Sequence, residues 1–203
     1  MTISSRRSLF PRIFAATIVL VGILFSHLLK ATPEPQLLGN AGKAYRLQLY
    51  QTHTKERLDI VYRVGSAYLP GATDELDHFL RDHRTGDVYL LDPRLFDVLH
   101  DLTVAVGHSE AEIDIVCGYR SQMSNEFLRR TTVGVAQHSR HMLGEAIDIR
   151  IPGISTARLR DAALALHRGG VGYYPESQFV HVDVGPVRRW QMPMTAGRLV
   201  YYR

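Results

Sequence analysis

The sequence predicts an α+β fold. Apolar residues alternate with polar ones in several short segments, which is typical of half-buried strands, and other segments carry an apolar stripe at helical spacing. Strands and helices follow no strict β-α-β alternation, so a doubly wound parallel sheet is not favoured. The composition, 45% hydrophobic and 22% charged over 203 residues, excludes disordered and collagen-like classes.

The N-terminal segment has the features of an export signal. Its basic residues are Arg6, Arg7, Arg12 and Lys30. No acidic residue occurs in 1–32, and an uncharged apolar run extends over 13–29. A basic stretch before an apolar run is typical of export signals, and the Arg6-Arg7 pair resembles a twin-arginine signal. We therefore predict an exported, periplasmic protein whose leader is either cleaved or kept as an inner-membrane anchor.

The net charge of the chain resides in this segment. The whole chain has 24 basic and 20 acidic residues, a formal net charge of +4, and the part after residue 32 has 20 of each. No basic stripe with interleaved aromatic residues remains there, so a nucleic-acid partner is not expected. The predicted organisation is an export signal or anchor at 1–31, a linker at 32–43 and one domain at 44–203. Membrane contact is expected only through an uncleaved leader.

The first half of the domain is predicted to contain a hairpin and two helices. Alternating apolar residues at 45–50 and 58–64 predict two strands joined by a polar turn. Thr73 is predicted to cap a first helix that ends before Gly86. A second helix is predicted between Asp92-Pro93, a cap followed by proline, and Gly107.

Three segments of the second half contain residue types that carry chemistry. They are Gly118-Tyr119-Arg120-Ser121, the stretch 139–151 and the stretch 179–185. Ser121 is a predicted N-cap, which places Arg120 at a strand-to-helix corner. In the later segments, strand alternation buries aliphatic residues on one face and leaves Asp148, His181 and Asp183 on the other. Cys117, the only cysteine of the chain, is predicted to be a small buried side chain.

Two histidines and one aspartate form a candidate zinc site. His141 precedes its strand across Gly144, and a glycine there allows the loop to fold back towards Asp148 and His181. Two imidazoles and one carboxylate leave a fourth position for water, as in catalytic zinc sites. Arg120 is then a fixed cation for a developing oxyanion. The residues alone leave an alternative open, in which Asp148 is a solvated strand residue and His181 a half-buried histidine without a metal.

These motifs resemble a known family. The pattern Ser139-x-His141-x-x-Gly144-x-Ala146-x-Asp148, with Tyr119-Arg120-Ser121 before it and Phe179-Val-His181-Val-Asp183 after it, resembles the zinc D-Ala-D-Ala-type peptidases, which share their fold with the hedgehog signalling domain. The resemblance continues through Phe79–Gly86, Gly169–Pro175 and Gly185–Trp190. Together the segments are similar to the MepK-like periplasmic murein endopeptidases, over most of the chain after about Tyr45.

The resemblance implies a fold, a cofactor and a substrate. The implied fold is a small antiparallel sheet with packed helices, and the implied cofactor is zinc on His141, Asp148 and His181, with Arg120 on the arginine position. The implied substrate is the cross-linked stem peptides of peptidoglycan, with either a D-Ala–diaminopimelate or a diaminopimelate–diaminopimelate bond cleaved. A D,D-carboxypeptidase that trims terminal D-Ala and a non-catalytic zinc-containing wall-binding module are the alternatives.

The sequence departs from the family at the position of the general base. Many relatives have a histidine two residues before the last ligand, or a carboxylate three residues before it. Here these positions are Phe179 and Gln178, and neither side chain can serve as a base. Asp183, on the strand face of His181, is the first candidate base. Its alternative role is to orient that histidine from behind.

Overall fold

The structure, a computed structural model, describes residues 42–132, 134–192 and 200–202. The predicted export segment at 1–31 lies outside these residues, as does the linker except for its last two positions. Among the described residues, no helix has both the length and the apolar character that a bilayer crossing requires.

A nine-stranded sheet forms the centre of the described region. Its strands are β1 (Ala44–Gln51), β2 (Arg57–Val64), β3 (Ala67–Tyr68), β4 (Glu112–Cys117), β5 (Ala146–Arg150), β6 (Gly170–Tyr174), β7 (Phe179–Asp183), β8 (Arg188–Gln191) and β9 (Val200–Tyr202). They are arranged in the order β3-β2-β1-β4-β5-β7-β6-β8-β9. The described helices are α1 (Pro70–Phe79), α2 (Arg94–Ala105), α3 (Gln122–Thr131), α4 (Thr156–Leu166) and a 3-10 helix (Arg140–Leu143).

The predicted α+β class is confirmed, but the expectation of a small antiparallel sheet is wrong. The sheet has nine strands, and β1–β4 and β6–β8 are parallel pairs. A parallel pair needs a long crossover connection. The segment between β1 and β4 is long enough for such a crossover, because it contains β2, β3, α1 and α2.

The hairpin prediction is confirmed, and one helix start is corrected. Strands β1 and β2 pair antiparallel over most of their length. Helix α1 begins at Pro70, whereas Thr73 lies inside its first turn and donates its hydroxyl to the carbonyl of Pro70 at 2.8 Å. Proline has a helix-compatible φ and no N–H that needs a partner, so it starts the helix three residues earlier than the predicted cap.

The hydrophobic core joins the helices to the middle of the sheet. Many of the least exposed side chains come from β4, β5, β7, α2 and α4. They include Ile113, Ile115, Ile147, Ile149, Val180, Val182, Leu95, Leu99, Leu102 and Leu159, none more than 2% exposed. Burial of each branched aliphatic side chain stabilises the fold by about 1.5–3 kcal/mol. Anchoring β5 and β7 in this way gives a rigid support to the residues on their other face.

Candidate metal centre

Asp148 and His181 lie on adjacent strands at directly opposite positions. In the antiparallel pair β5–β7, Asp148 is the register partner of His181. Side chains at opposite positions project to the same face of a sheet, and the alternate residues of both strands are in the core. The predicted common face for these two residues is therefore confirmed. Asp148 is 5% exposed and His181 7%.

The chain just before β5 brings His141 to the same place. His141 lies in the 3-10 helix, which ends at Gly144 with φ 67°. A Cβ atom at Gly144 would lie 2.4 Å from the carbonyl oxygen of Leu90. Both the left-handed φ and the close contact require glycine. The predicted return of this loop to the strand residues is confirmed by the contacts of His141.

Three potential ligand atoms converge in this site. His141 Nε2 is 3.2 Å from Asp148 Oδ1 and 3.1 Å from His181 Nδ1, and that Nδ1 is 2.8 Å from Asp148 Oδ1. Ligand atoms at the corners of a tetrahedral zinc site lie about 3.3 Å apart. The spacing of the three atoms therefore fits one zinc ion with little rearrangement.

The hydrogen bonds on the far side of each imidazole ring support this fit. His141 Nδ1 is 2.8 Å from the carbonyl oxygen of Gly118, and His181 Nε2 is 3.2 Å from Asp183 Oδ2. Because both partners only accept, these ring nitrogens carry the protons. In the neutral rings, His141 Nε2 and His181 Nδ1 then present lone pairs to each other and to a carboxylate oxygen. Such an arrangement needs a cation at its centre.

The pKa values of His141 and Asp148 also indicate that the site binds a cation. Burial disfavours the charged form of His141, but Asp148 and Cys117 together outweigh this effect and raise the pKa of His141 to about 10. Burial also opposes ionisation of Asp148, yet the two histidines hold its pKa well below the usual range. A proton or a metal ion satisfies these groups, and the donor set, two imidazoles and a carboxylate, is one that zinc prefers.

Cys117 is a further potential ligand that the sequence prediction missed. Its Sγ lies within 4.8 Å of ligand atoms of His141 and Asp148. Burial raises the pKa of the thiol, but His141 and Arg120 lower it overall. The thiol is also 3.4 Å from Arg120 Nη2. His181 remains the better third ligand, because its Nδ1 is closer to both other donors.

Arg120 borders the site at the predicted strand-to-helix corner. The Ser121 side chain caps α3 by accepting from Ser124 N, as predicted. Arg120 Nη2 is 3.6 Å from Asp148 Oδ2. Its Nε is buried and makes no hydrogen bond to any residue that the structure describes. Arg120 thus brings a positive charge and an unused N–H to the edge of the metal centre.

Asp82 holds this corner in place. Its carboxylate, 1% exposed, accepts from the backbone N and the hydroxyl of Ser121 at 2.8 and 2.7 Å. Burial opposes its ionisation, but the donors of Ser124 and Ser121 and the backbone N of Arg84 lower the pKa of Asp82 to about 2. The local sequence pattern carries no signal for this contact, because Asp82 is 39 residues away from Ser121.

Asp183 lies behind His181, away from the converging ligand atoms. Its carboxylate is engaged on several sides: Arg188 Nη2 donates to Oδ2 at 2.6 Å, and the backbone N atoms of Gly170 and Gly185 donate to Oδ1 at 3.0 and 2.9 Å. Burial opposes ionisation, but His181 and Arg188 keep the pKa of Asp183 below its ordinary value. These contacts favour the orienting role over that of a base.

The metal centre opens into a cleft of about 860 Å³. Its walls include Arg120 and His141 near the centre, and Tyr174, Phe179 and Trp190 on the β6–β8 side. Trp190 packs against His181 with ring centroids 5.1 Å apart. The volume is in the range of pockets that enclose a small-molecule or peptide ligand. Asp183 is not among the residues that line it.

Comparison with known proteins shows that the chain belongs to a class of peptidases. The chain matches, over residues 39–190, a family of M15 peptidases described as peptidoglycan L,D-endopeptidase MepK. M15 peptidases are metal-dependent enzymes, and the described site is a possible Cys/His/Asp metal site. Within that class, the chain belongs to the MepK family.

Two curated relatives illustrate the similarity. The chain is 40% identical over 161 residues to a probable peptidoglycan L,D-endopeptidase MepK of Haemophilus influenzae, covering 79% of this chain and 82% of that protein. It is 39% identical over 160 residues to the peptidoglycan L,D-endopeptidase MepK of Escherichia coli K12, with the same coverage. No solved structure gives a significant match to the chain.

Proposed function

We propose that this protein is a zinc-dependent murein endopeptidase that hydrolyses peptide cross-links of peptidoglycan. The observation that carries the proposal is the convergence of His141 Nε2, Asp148 Oδ1 and His181 Nδ1 within 3.2 Å of one another, at the base of an open cleft. Membership of the MepK family supports the substrate. A hedgehog-type relationship of the fold is part of the same proposal.

The residues around the metal centre have distinct roles in this function. His141, Asp148 and His181 would hold the ion, and zinc there would supply the Lewis acidity that makes water nucleophilic near neutral pH and polarises a peptide carbonyl. The carbonyl of Gly118 and the carboxylate of Asp183 keep the two imidazoles in the tautomers that coordination needs. Arg120 would donate to the oxygen on which negative charge develops.

The stereochemistry of the cross-links favours one of the two bonds. The diaminopimelate–diaminopimelate bond joins an L centre to a D centre, whereas the D-Ala–diaminopimelate bond joins two D centres. The curated relatives are named L,D-endopeptidases. We therefore propose the diaminopimelate–diaminopimelate cross-link as the substrate bond.

The test is digestion of purified muropeptides followed by mass spectrometry. We expect the protein to convert dimers with a diaminopimelate–diaminopimelate bond into monomers, to stop in chelator and to recover when zinc is added. Release of D-Ala from monomeric stem peptides would instead indicate the carboxypeptidase alternative. If zinc-loaded protein binds dimers and leaves every one intact, the protein is a wall-binding module and the proposal fails.

We further propose that residues 1–31 export the protein and that 32–43 link them to the domain. The twin-arginine-like pair and the apolar run of 13–29 support this. Peptidoglycan lies outside the cytoplasmic membrane, so export would bring the enzyme to its substrate in the periplasm. Cell fractionation of the full chain, with and without the Arg6-Arg7 pair replaced by lysines, tests the route.

Substitution of Asp183 separates its two possible roles. We expect Asp183→Asn to weaken zinc binding about 10- to 100-fold, because the N–H of His181 loses a charged acceptor. Competition with a chromophoric chelator measures the affinity, and cleavage should return in excess zinc. Full zinc affinity with a kcat reduced by about 10²–10⁴ would identify Asp183 as the base instead. Glu176→Gln, in the cleft wall, is the comparison variant and should keep its zinc affinity.

A further inference from the structure

One wall of the cleft contains two histidines that the proposed hydrolysis does not use. His53 lies in the turn between β1 and β2, and His83 follows α1. Their rings stack with centroids 3.7 Å apart and an angle of 4° between the planes. Both line the cleft that contains the metal centre.

The stacked pair is poorly arranged for a metal ion. The lone pair of an imidazole nitrogen lies in the plane of its ring. Because the two planes are almost parallel, the lone pairs of His53 and His83 do not converge on one point, as they do at His141 and His181. A second zinc site on this wall is therefore disfavoured.

The two rings are instead neutral hydrogen-bond donors. Burial, the adjacent ring of His53 and the Arg84 guanidinium lower the pKa of His83 to about 4. Burial and Arg84 also lower the pKa of His53. Two imidazolium ions in a close stack would repel each other. At neutral pH each ring keeps one N–H. The backbone of Val116 accepts from His53, so the N–H of His83 is the one that can donate to an anion.

Arg84 adds a positive charge to this wall. The other three arginines that line the cleft each lie close to a carboxylate: Arg120 to Asp148, Arg140 to Glu145 and Arg188 to Asp183. Arg84 forms no ion pair with any carboxylate in the described ranges, and its guanidinium lies 5.9 Å from the ring centre of Phe127. It is the lining arginine whose charge is left for a ligand.

We propose that His53, His83 and Arg84 form a carboxylate-binding subsite that holds a free carboxylate of the stem peptide while the scissile bond lies at the metal centre. The proposal rests on the proposed function, because it takes peptidoglycan stem peptides as the ligand. These peptides carry free carboxylates beside their cross-links, so a subsite of this chemistry would select and align them. Arg84 provides the charge, the N–H of His83 provides direction, and the stacked ring of His53 holds His83 in place.

The test compares two synthetic stem tetrapeptides, one with free side-chain carboxylates and one with the same groups as carboxamides. Calorimetric titration measures their binding to the purified full chain. We expect the wild type to prefer the acid, and Arg84→Gln to weaken acid binding about tenfold through loss of a charge-assisted hydrogen bond. The affinity of the carboxamide should not change. Arg130→Gln is the matched control, since Arg130 is exposed on α3 and does not line the cleft.

Kinetics on cross-linked dimers give an independent readout. Arg84→Gln and His83→Gln should raise KM with kcat nearly unchanged, because the subsite holds a remote part of the substrate. Equal loss of acid and carboxamide binding, or no loss of either, would overturn the subsite. If the wild type prefers the acid but cleaves no dimer, the proposed function fails and the subsite stands. If it cleaves dimers and Arg84→Gln keeps the wild-type KM, the subsite alone fails.

Discussion

His181→Ala is expected to abolish cleavage of cross-linked dimers and to remove the bound metal. The change deletes one of the three donors whose atoms lie within 3.2 Å of each other. Only two donors, the lone pair of His141 and the carboxylate of Asp148, then remain to hold the cation. A metal ion contributes several kcal/mol of charge stabilisation in the transition state, so the rate should fall by about 10³-fold or more.

The measurement combines metal content and turnover. Elemental analysis of the purified variant should find little zinc, and mass spectrometry of digested muropeptides should find intact dimers. His108→Ala is the matched control, because His108 is exposed and does not line the cleft. A His181→Ala protein that keeps one zinc per chain and near-normal turnover would contradict the ligand assignment.

Arg120→Met is expected to lower kcat by about 10²–10³-fold while the protein still binds zinc. The guanidinium lies 3.6 Å from Asp148 and has a buried Nε without a hydrogen bond to the described residues. It is therefore placed to donate to an oxygen that gains charge during the reaction. Methionine keeps much of the packed length of the side chain and removes both the charge and the donors.

Steady-state kinetics on a defined dimer, together with zinc analysis, measure this effect. Because the donated hydrogen bond strengthens as charge develops, kcat and kcat/KM should fall together and KM should change little. A raised KM with an unchanged kcat would show that Arg120 only anchors the substrate. Arg130→Met, on the exposed surface of α3, should behave as the wild type in both measurements.

Local patterns were enough to predict much of the scaffold. The alternation at 45–50 and 58–64 corresponds to β1 and β2, because a strand that is buried on one face shows a period of two in its own sequence. Ser121 caps α3 as predicted, because N-capping involves only residues within one turn. The size of the sheet and its two parallel pairs were not predictable in this way, since they depend on contacts between distant segments.

At the candidate site, too, some features follow from the local sequence pattern and others depend on contacts between distant segments. Alternation within β5 and β7 predicts the faces of Asp148 and His181 without reference to the partner strand. The direct pairing of those strands and the position of Asp183 behind His181 are tertiary facts. The stacking of His53 on His83, next to Arg84, is also a tertiary contact, because the β1–β2 turn and the segment after α1 meet only in the folded chain.

Cys117 shows most directly what only the tertiary structure decided. Read as a strand, Ile113, Ile115 and Cys117 share one face, which predicts a cysteine in the core. In the structure Ile115 pairs with Ile149, but Cys117 pairs with Asp148, and the register shifts between them. An extra residue on one strand turns the next side chain to the other face. The sequence alone determined which residue types can bind a metal and on which strand faces they occur. The pairing of β4 with β5, and the bulge in that pairing, placed the Cys117 thiol beside the other potential metal ligands. Such a register shift depends on the partner strand, so the local sequence pattern does not reveal it.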